Sequence, residues 1–245
     1  MIIAIDGLDG SGKETLTYAL RDYLVEEAGW DESKVMVHSF PNYNSRSGIQ
    51  IRNMLAGKTF TDESSDLKAY LIASMFAFNR AEYISSVQAT FGDEIFSSNS
   101  VIHIFDRYWG SNVLYQGLGK SGEDLQKFIQ LMRSIDTSLK NPMPDRYYFL
   151  RHPYSVLRKR LDARKSKSVE NDNYEKDTYL KSVYHLSEYL LEYLKPPINP
   201  IYNTIIEGCV SCIKTETVSK YIELETPFLV RYIIADLDKA GILKV

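Results

Sequence analysis

The chain has 245 residues, enough for one α/β domain with a full core, and its 44% hydrophobic and 25% charged content is that of an ordinary globular protein. A net charge of −3 excludes a protein whose main partner is a nucleic-acid backbone. No apolar run approaches the roughly 18–20 residues needed to cross a bilayer, and Asp6 follows the first apolar run too closely for a signal peptide, so a cytoplasmic protein with no membrane partner is expected.

In chain order, short β-rich runs alternate with long amphipathic or polar stretches. Strands are predicted at Ile2–Ile5, Val35–Phe40, Val101–Phe105, Arg146–Leu150 and Thr204–Ile206, largely apolar rather than alternating, as strands covered on both faces are. Helices are predicted over Lys13–Ala28, Gly48–Ala56, Ser64–Ser86, Asp93–Ser97, Glu123–Thr137, Tyr154–Arg164 and Lys176–Leu194. Gly29 stops the first, Pro153 suits the start of the sixth, and Pro196-Pro197 ends the last. The polar, aperiodic stretch Lys165–Asn173 reads as a mobile loop. Beyond Ile206, Thr215–Glu223 and Phe228–Lys239 read as a helical hairpin, so one domain over 1–245 is expected, with a core to about residue 206 and a helical extension over 207–245. Cys209 and Cys212 form a C-x-x-C without further ligands at metal-binding spacing, which reads as two reduced thiols.

Residues Gly7 to Thr15, Gly-Leu-Asp-Gly-Ser-Gly-Lys-Glu-Thr, lie between the first strand and the first helix. They form a phosphate-binding loop, G-x-x-x-x-G-K, whose glycines let backbone N–H groups converge on phosphate oxygens at a helix N-terminus. Gly7, Asp9, Gly10, Ser11, Gly12, Lys13, Glu14 and Thr15 are therefore candidate ATP-binding residues, with Lys13 reaching the β and γ phosphates. Glu14 stands where a Ser or Thr hydroxyl usually meets Mg²⁺, so Glu14, Thr15 and Asp106 are the candidate metal ligands. This loop sets the expected fold class: α/β, a P-loop NTPase-type three-layer sandwich with a five-stranded parallel sheet and helices on both faces. A second glycine pattern, Gly117-Leu118-Gly119-Lys120-Ser121-Gly122, follows no strand and reads as a turn.

The strand ending at Phe105 runs into Asp106-Arg107-Tyr108, which delivers an acid and a guanidinium to the edge where such sheets bind ligands. An Asp–Arg pair capping the strand is the plainer reading. The stretch Asp106–Gln116, Asp-Arg-Tyr-Trp-Gly-Ser-Asn-Val-Leu-Tyr-Gln, resembles the D-R-Y-x-x-S-x-x-A-Y-Q segment of thymidylate (dTMP) kinases. Gly7-Leu8-Asp9 with Gly12-Lys13, Phe40-Pro41 with Gly48 and Ile51-Arg52, Phe76-Ala77-Phe78-Asn79-Arg80, and Asp172–Asp177 resemble further segments of that family, in its order over about residues 1–195.

The resemblance implies ATP-dependent phosphorylation of dTMP to dTDP, with ATP and Mg²⁺ as cofactors and a homodimer. It also implies roles. Asp9 contacts the nucleotide, Phe76 stacks on the base, Arg80 and Asn112 contact its polar edge, and Tyr115 lies near the sugar. Phe40, Pro41, Arg52, Arg107, Ser111 and Gln116 complete the expected substrate site. Read without the resemblance, Phe76 and Tyr115 suit core packing and Arg52 a solvated helix face. Because Gly10 and Ser11 are neutral, the charge that meets the transferring phosphoryl is expected from the lid, with Arg160 and Arg164 joining Lys13, Asp9 and Arg107 as catalytic candidates. The other readings are a kinase for another nucleotide or deoxynucleoside, or a nucleotide-binding protein impaired in catalysis by Glu14.

Overall fold

The computed structural model describes residues 1–59, 65–165, 177–193, 204–214 and 219–243. Five strands, β1 (Ile2–Gly7), β2 (Val35–Ser39), β3 (Ile102–Asp106), β4 (Arg146–Arg151) and β5 (Thr204–Glu207), form one parallel sheet in the order β2-β3-β1-β4-β5. Between them run α1 (Lys13–Glu26), α2 (Arg46–Leu55), α3 (Ser65–Phe91), α4 (Trp109–Gln116), α5 (Gly122–Ser138), α6 (Tyr154–Lys165) and α7 (Asp177–Tyr193).

Successive residues of a strand point to opposite faces, and β1 shows how this builds two cores. Ile3 and Ile5 join Leu16, Leu20 and Leu24 of α1 on one face. Ile2 and Ala4 join Val113 of α4, Phe128 of α5 and Leu190 of α7 on the other. With both faces covered, apolar residues occupy alternate and adjacent positions alike, which is why the five strands are legible as apolar runs.

The tail differs from expectation. Ser219–Glu223 is not helical: it is a strand, β7, paired antiparallel with β6 (Cys209–Lys214), with Cys209 opposite Glu223 and Val210 opposite Ile222. The helix-forming Lys220 and Glu223 favour a helix only weakly, and pairing with a neighbouring strand overrides that preference. Helix α8 (Thr226–Lys239) forms as expected, but it packs on α1 as part of the second core, through Leu229, Val230, Ile233, Ile234 and Leu237. Asp93–Phe96 is a short 3-10 turn, and Gly117–Lys120 is a turn closed by the Lys120 N–H on the Gly117 carbonyl at 3.1 Å. Residues 166–173 of the predicted loop, residues 172–176 of the last family-like motif, residues 215–218 of the expected tail helix and Pro196-Pro197 lie outside the described residues. Among the described residues no helix is long and apolar enough to cross a membrane.

Candidate active site

The phosphate loop leaves β1, and the Asp106-Arg107-Tyr108 elbow leaves its neighbour β3 at the same sheet edge. Gly10 and Gly12 sit at φ +81° and +85°, backbone that favours glycine, and the Ser11 N–H closes the turn on the Leu8 carbonyl at 3.0 Å. Gly7 ends β1. Lys13 opens α1 and is nearly buried, its Nζ 3.3 Å from the Leu8 carbonyl and 3.9 Å from Asp9. Burial and the Arg107 charge pull the Lys13 ammonium down to about 8, against the opposing pull of Asp9, Asp106 and Asp6. Glu14 and Thr15 are exposed in the first turn of α1.

Asp9 is the hub of the loop. Its carboxylate accepts from the Arg107 guanidinium and, at 2.9 Å, from the Tyr115 hydroxyl, while its own N–H donates back to that hydroxyl at 3.3 Å. Burial alone would raise this carboxyl, but the charges of Arg107 and Lys13 outweigh it and hold Asp9 below the usual carboxylate range. Arg107 adopts φ +64°, a left-handed conformation that costs a non-glycine residue about 1–2 kcal/mol. The elbow is secured by Asp6, which accepts from the Tyr108 N–H (3.2 Å), the Ser111 hydroxyl (2.6 Å) and the Tyr147 hydroxyl (2.5 Å). Burial pushes the Asp6 carboxyl up even so.

A cleft of about 320 Å³ opens beside this cluster, lined by Asp9, Phe40, Pro41, Tyr43, Leu55, Phe76, Arg80, Arg107, Tyr108, Ser111, Asn112, Tyr115, Gln116 and Arg164. Arg80 is fixed deep in it: Nε and Nη2 donate to the two oxygens of buried Asp136 at 2.8 and 2.6 Å, and the guanidinium lies 5.5 Å from the Tyr108 ring centre. The Asn112 amide Nδ2 donates to the Ala73 carbonyl at 3.0 Å. Arg52 is exposed and does not line the cleft; it stacks on Tyr43, which does, 5.6 Å from the ring centre. Asn79 fixes that wall by accepting from the Asn42 N–H (2.7 Å) and donating to the Asn42 carbonyl (3.0 Å).

Asp106 is almost buried, and its Oδ1 has no hydrogen-bond partner among the described residues; Oδ2 accepts from Ser39 at 3.5 Å. Burial, with Glu14 and Asp6 nearby, pushes its carboxyl up against the pull of Lys13 and Arg107. An orphaned buried carboxylate oxygen facing a phosphate loop fits a hard cation such as Mg²⁺. Arg160 lies over the phosphate loop rather than along the cleft, bonded to the Gly10 and Ser11 carbonyls.

Sequence reasoning missed Asp6, Tyr43, Asp136 and Tyr147. Asp6 did carry a signal, a charge at the end of an otherwise apolar strand, whereas Asp136 looks like any polar residue of an amphipathic helix.

The sequence model described as thymidylate kinase matches residues 5–199. The thymidylate kinase of Mycobacterium tuberculosis is 29% identical over 186 residues, covering 74% of this chain and 80% of that one. Two solved thymidylate kinases share the fold. The Candida albicans structure has a TM-score of 0.58 at 21% identity, covering 98% of this chain and 92% of its own. The Ehrlichia chaffeensis structure has a TM-score of 0.56 at 20% identity, covering 97% and 98%. With a match spanning most of its length and the site built on the matched residues, the chain belongs to the thymidylate kinase family.

Proposed function

We propose that the protein transfers the γ-phosphoryl group of ATP to dTMP, giving dTDP and ADP. One observation carries the choice of base. The Nδ2 of Asn112 is committed to the Ala73 carbonyl, which leaves Oδ1 as an acceptor, while Asp136 holds Nε and Nη2 of Arg80 and leaves Nη1 as a donor. An acceptor and a donor complement the N3–H and the 4-carbonyl of thymine. Cytosine reverses both groups, so each contact would be frustrated, and Phe76 supplies a flat apolar face to either base.

In the reaction an acceptor-phosphate oxygen bonds to the γ phosphorus as the bond to the β–γ bridging oxygen breaks, and ADP leaves with that electron pair. The chain contributes placement and charge rather than covalent chemistry. Lys13 and the loop N–H groups hold the donor phosphates, Arg107 grips the acceptor phosphate, and Asp9 with Tyr115 fixes the Arg107 fork. Arg164, which lines the cleft, supplies a lid cation on the acceptor side. Asp106 would hold Mg²⁺, with Glu14 and Thr15 bordering it; when bound, the ion neutralises phosphate charge.

The test is coupled detection of ADP with competing acceptors. dTMP and dUMP are expected to exceed dCMP and dGMP in kcat/KM by about 10⁴-fold, the discrimination available to a site that hydrogen-bonds its substrate. Equal values for dTMP and dCMP would overturn the assignment.

A further inference from the structure

The antiparallel hairpin β6–β7 has no part in the sheet, yet its last residue, Glu223, meets the arginine that lies over the phosphate loop. Arg160 on α6 has all three guanidinium nitrogens engaged. Nη1 donates to the carbonyls of Gly10 (3.1 Å) and Ser11 (2.8 Å), while Nε (3.1 Å) and Nη2 (2.5 Å) donate to one carboxylate oxygen of Glu223. The hairpin is anchored to the sheet edge at its base, where the Gly208 N–H donates to the Arg151 carbonyl and the Leu224 N–H to the Gly208 carbonyl, both at 2.8 Å. Glu223 is therefore presented by backbone bonds, not by a loose chain end.

The consequence lies in peptide geometry. A trans peptide is planar, with its C=O and N–H pointing opposite ways. Drawing the Ser11 carbonyl onto Arg160 turns the Gly12 N–H to the other side, the side around which such a loop wraps a phosphate. The left-handed backbone at Gly10 and Gly12 is what lets the two peptides on either side of Ser11 both offer their carbonyls to one guanidinium. Without a counter-charge, Arg160 would be free to leave these carbonyls for solvent. Glu223 meets two of its nitrogens and fixes the third.

We propose that Glu223 is a positioning residue for the donor-phosphate loop, acting through Arg160, and that the C-terminal hairpin is thereby part of the ATP site. The proposal rests on the ATP-dependent reading above. Its test uses the full chain, with ATP and dTMP KM from the coupled assay, the affinity of a non-hydrolysable ATP analogue by calorimetry, and thermal melting. The pair is partly exposed, at 31% and 42% of the side chains, so a modest effect is expected. Glu223→Ala should raise the ATP KM and the analogue Kd about fivefold, the ceiling for an exposed ion pair of good geometry. The dTMP KM and the melting temperature should stay at wild-type values. Glu223→Gln, which keeps an acceptor but loses the charge, should fall between. In an Arg160→Ala background, Glu223→Ala should add nothing. Unchanged ATP affinity in Glu223→Ala, an equal rise in the dTMP KM, or effects that add in the double variant would each overturn the proposal. A wild-type protein that binds the analogue but leaves dTMP unphosphorylated would refute the functional reading, while the binding arms would still decide the role of Glu223.

Discussion

Arg107 shows how much one residue of the cleft depends on its neighbours. One guanidinium nitrogen is spent on Asp9, and Arg107 lines the cleft, so in the proposed reaction the rest of its fork grips the acceptor phosphate. Arg107→Ala is expected to weaken dTMP binding at least about tenfold, as loss of a charge-assisted fork contact does. Lys13→Ala should abolish turnover while leaving dTMP affinity near wild type. Arg107→Lys should not restore binding, because an ammonium cannot meet two oxygens in one plane. Calorimetric titration with dTMP checks all three, and unchanged affinity in Arg107→Ala would remove its acceptor role. At this scale the sequence was informative wherever a residue's type is unusual for its surroundings: Lys13 after a glycine loop, or Asp106-Arg107 at the end of an apolar strand. It was silent where function depends on a partner far along the chain. Nothing local to Arg80 announces Asp136, 56 residues away, and nothing near Arg160 announces Glu223. The expectation that Arg52 joins the acceptor site came from the family resemblance, and the structure places its guanidinium over Tyr43, which lines the cleft.

Among elements, β2 and β3 carry a buried pair whose protonation is fixed by hydrogen bonding. His103 Nε2 meets the Ile95 carbonyl and so must donate, which makes its Nδ1 an acceptor. His38 Nε2 donates to that atom, leaving His38 Nδ1 to accept from the Tyr83 hydroxyl, each at 2.9 Å. Both rings are neutral in this chain. Burial pulls His38 down to about 3, helped by His103, and pulls His103 down to about 4. These folded values lie below the ordinary 6.5, so the unfolded chain takes up protons first as pH falls. The pair's contribution is complete above about pH 6.5 and is lost as pH falls, to about pH 4 for His103 and about pH 3 for His38. By pH 5 the loss amounts to about 2 kcal/mol per histidine. Urea melts at pH 7.5 and 5.0 should show it, and His38→Gln, which cannot titrate, should remove about half of the difference; an unaltered pH dependence would place the titration elsewhere. Elements were legible when their burial left a simple pattern. Helix α4 was not, because Trp109, Gly110, Asn112, Val113, Leu114 and Gln116 are all buried, and a helix covered on most sides has no polar face to mark its period. The hairpin was missed because its pairing energy comes from a partner strand, which a local reading does not contain.

For the whole molecule, the apparent extension is structural. The five buried side chains of α8 are Leu229, Val230, Ile233, Ile234 and Leu237. At about 1.5–3 kcal/mol each they bring on the order of 10 kcal/mol, comparable to the 5–15 kcal/mol that holds a domain folded. A chain ending before Thr226 should therefore lose cooperative unfolding in urea, and a sigmoidal transition like that of the full chain would contradict the packing. The strand order carries one more consequence, in time rather than in space. β1 is the centre of the sheet, yet its neighbours begin only at Ile102 (β3) and Arg146 (β4), and the second is complete only at Arg151. At about 5–20 residues per second, roughly ten to thirty seconds of synthesis pass before both edges of β1 can be covered. Until then Ile2, Ile3, Ala4 and Ile5 form an apolar strand with at least one edge uncovered, which is the period in which a nascent chain most needs a chaperone's shelter.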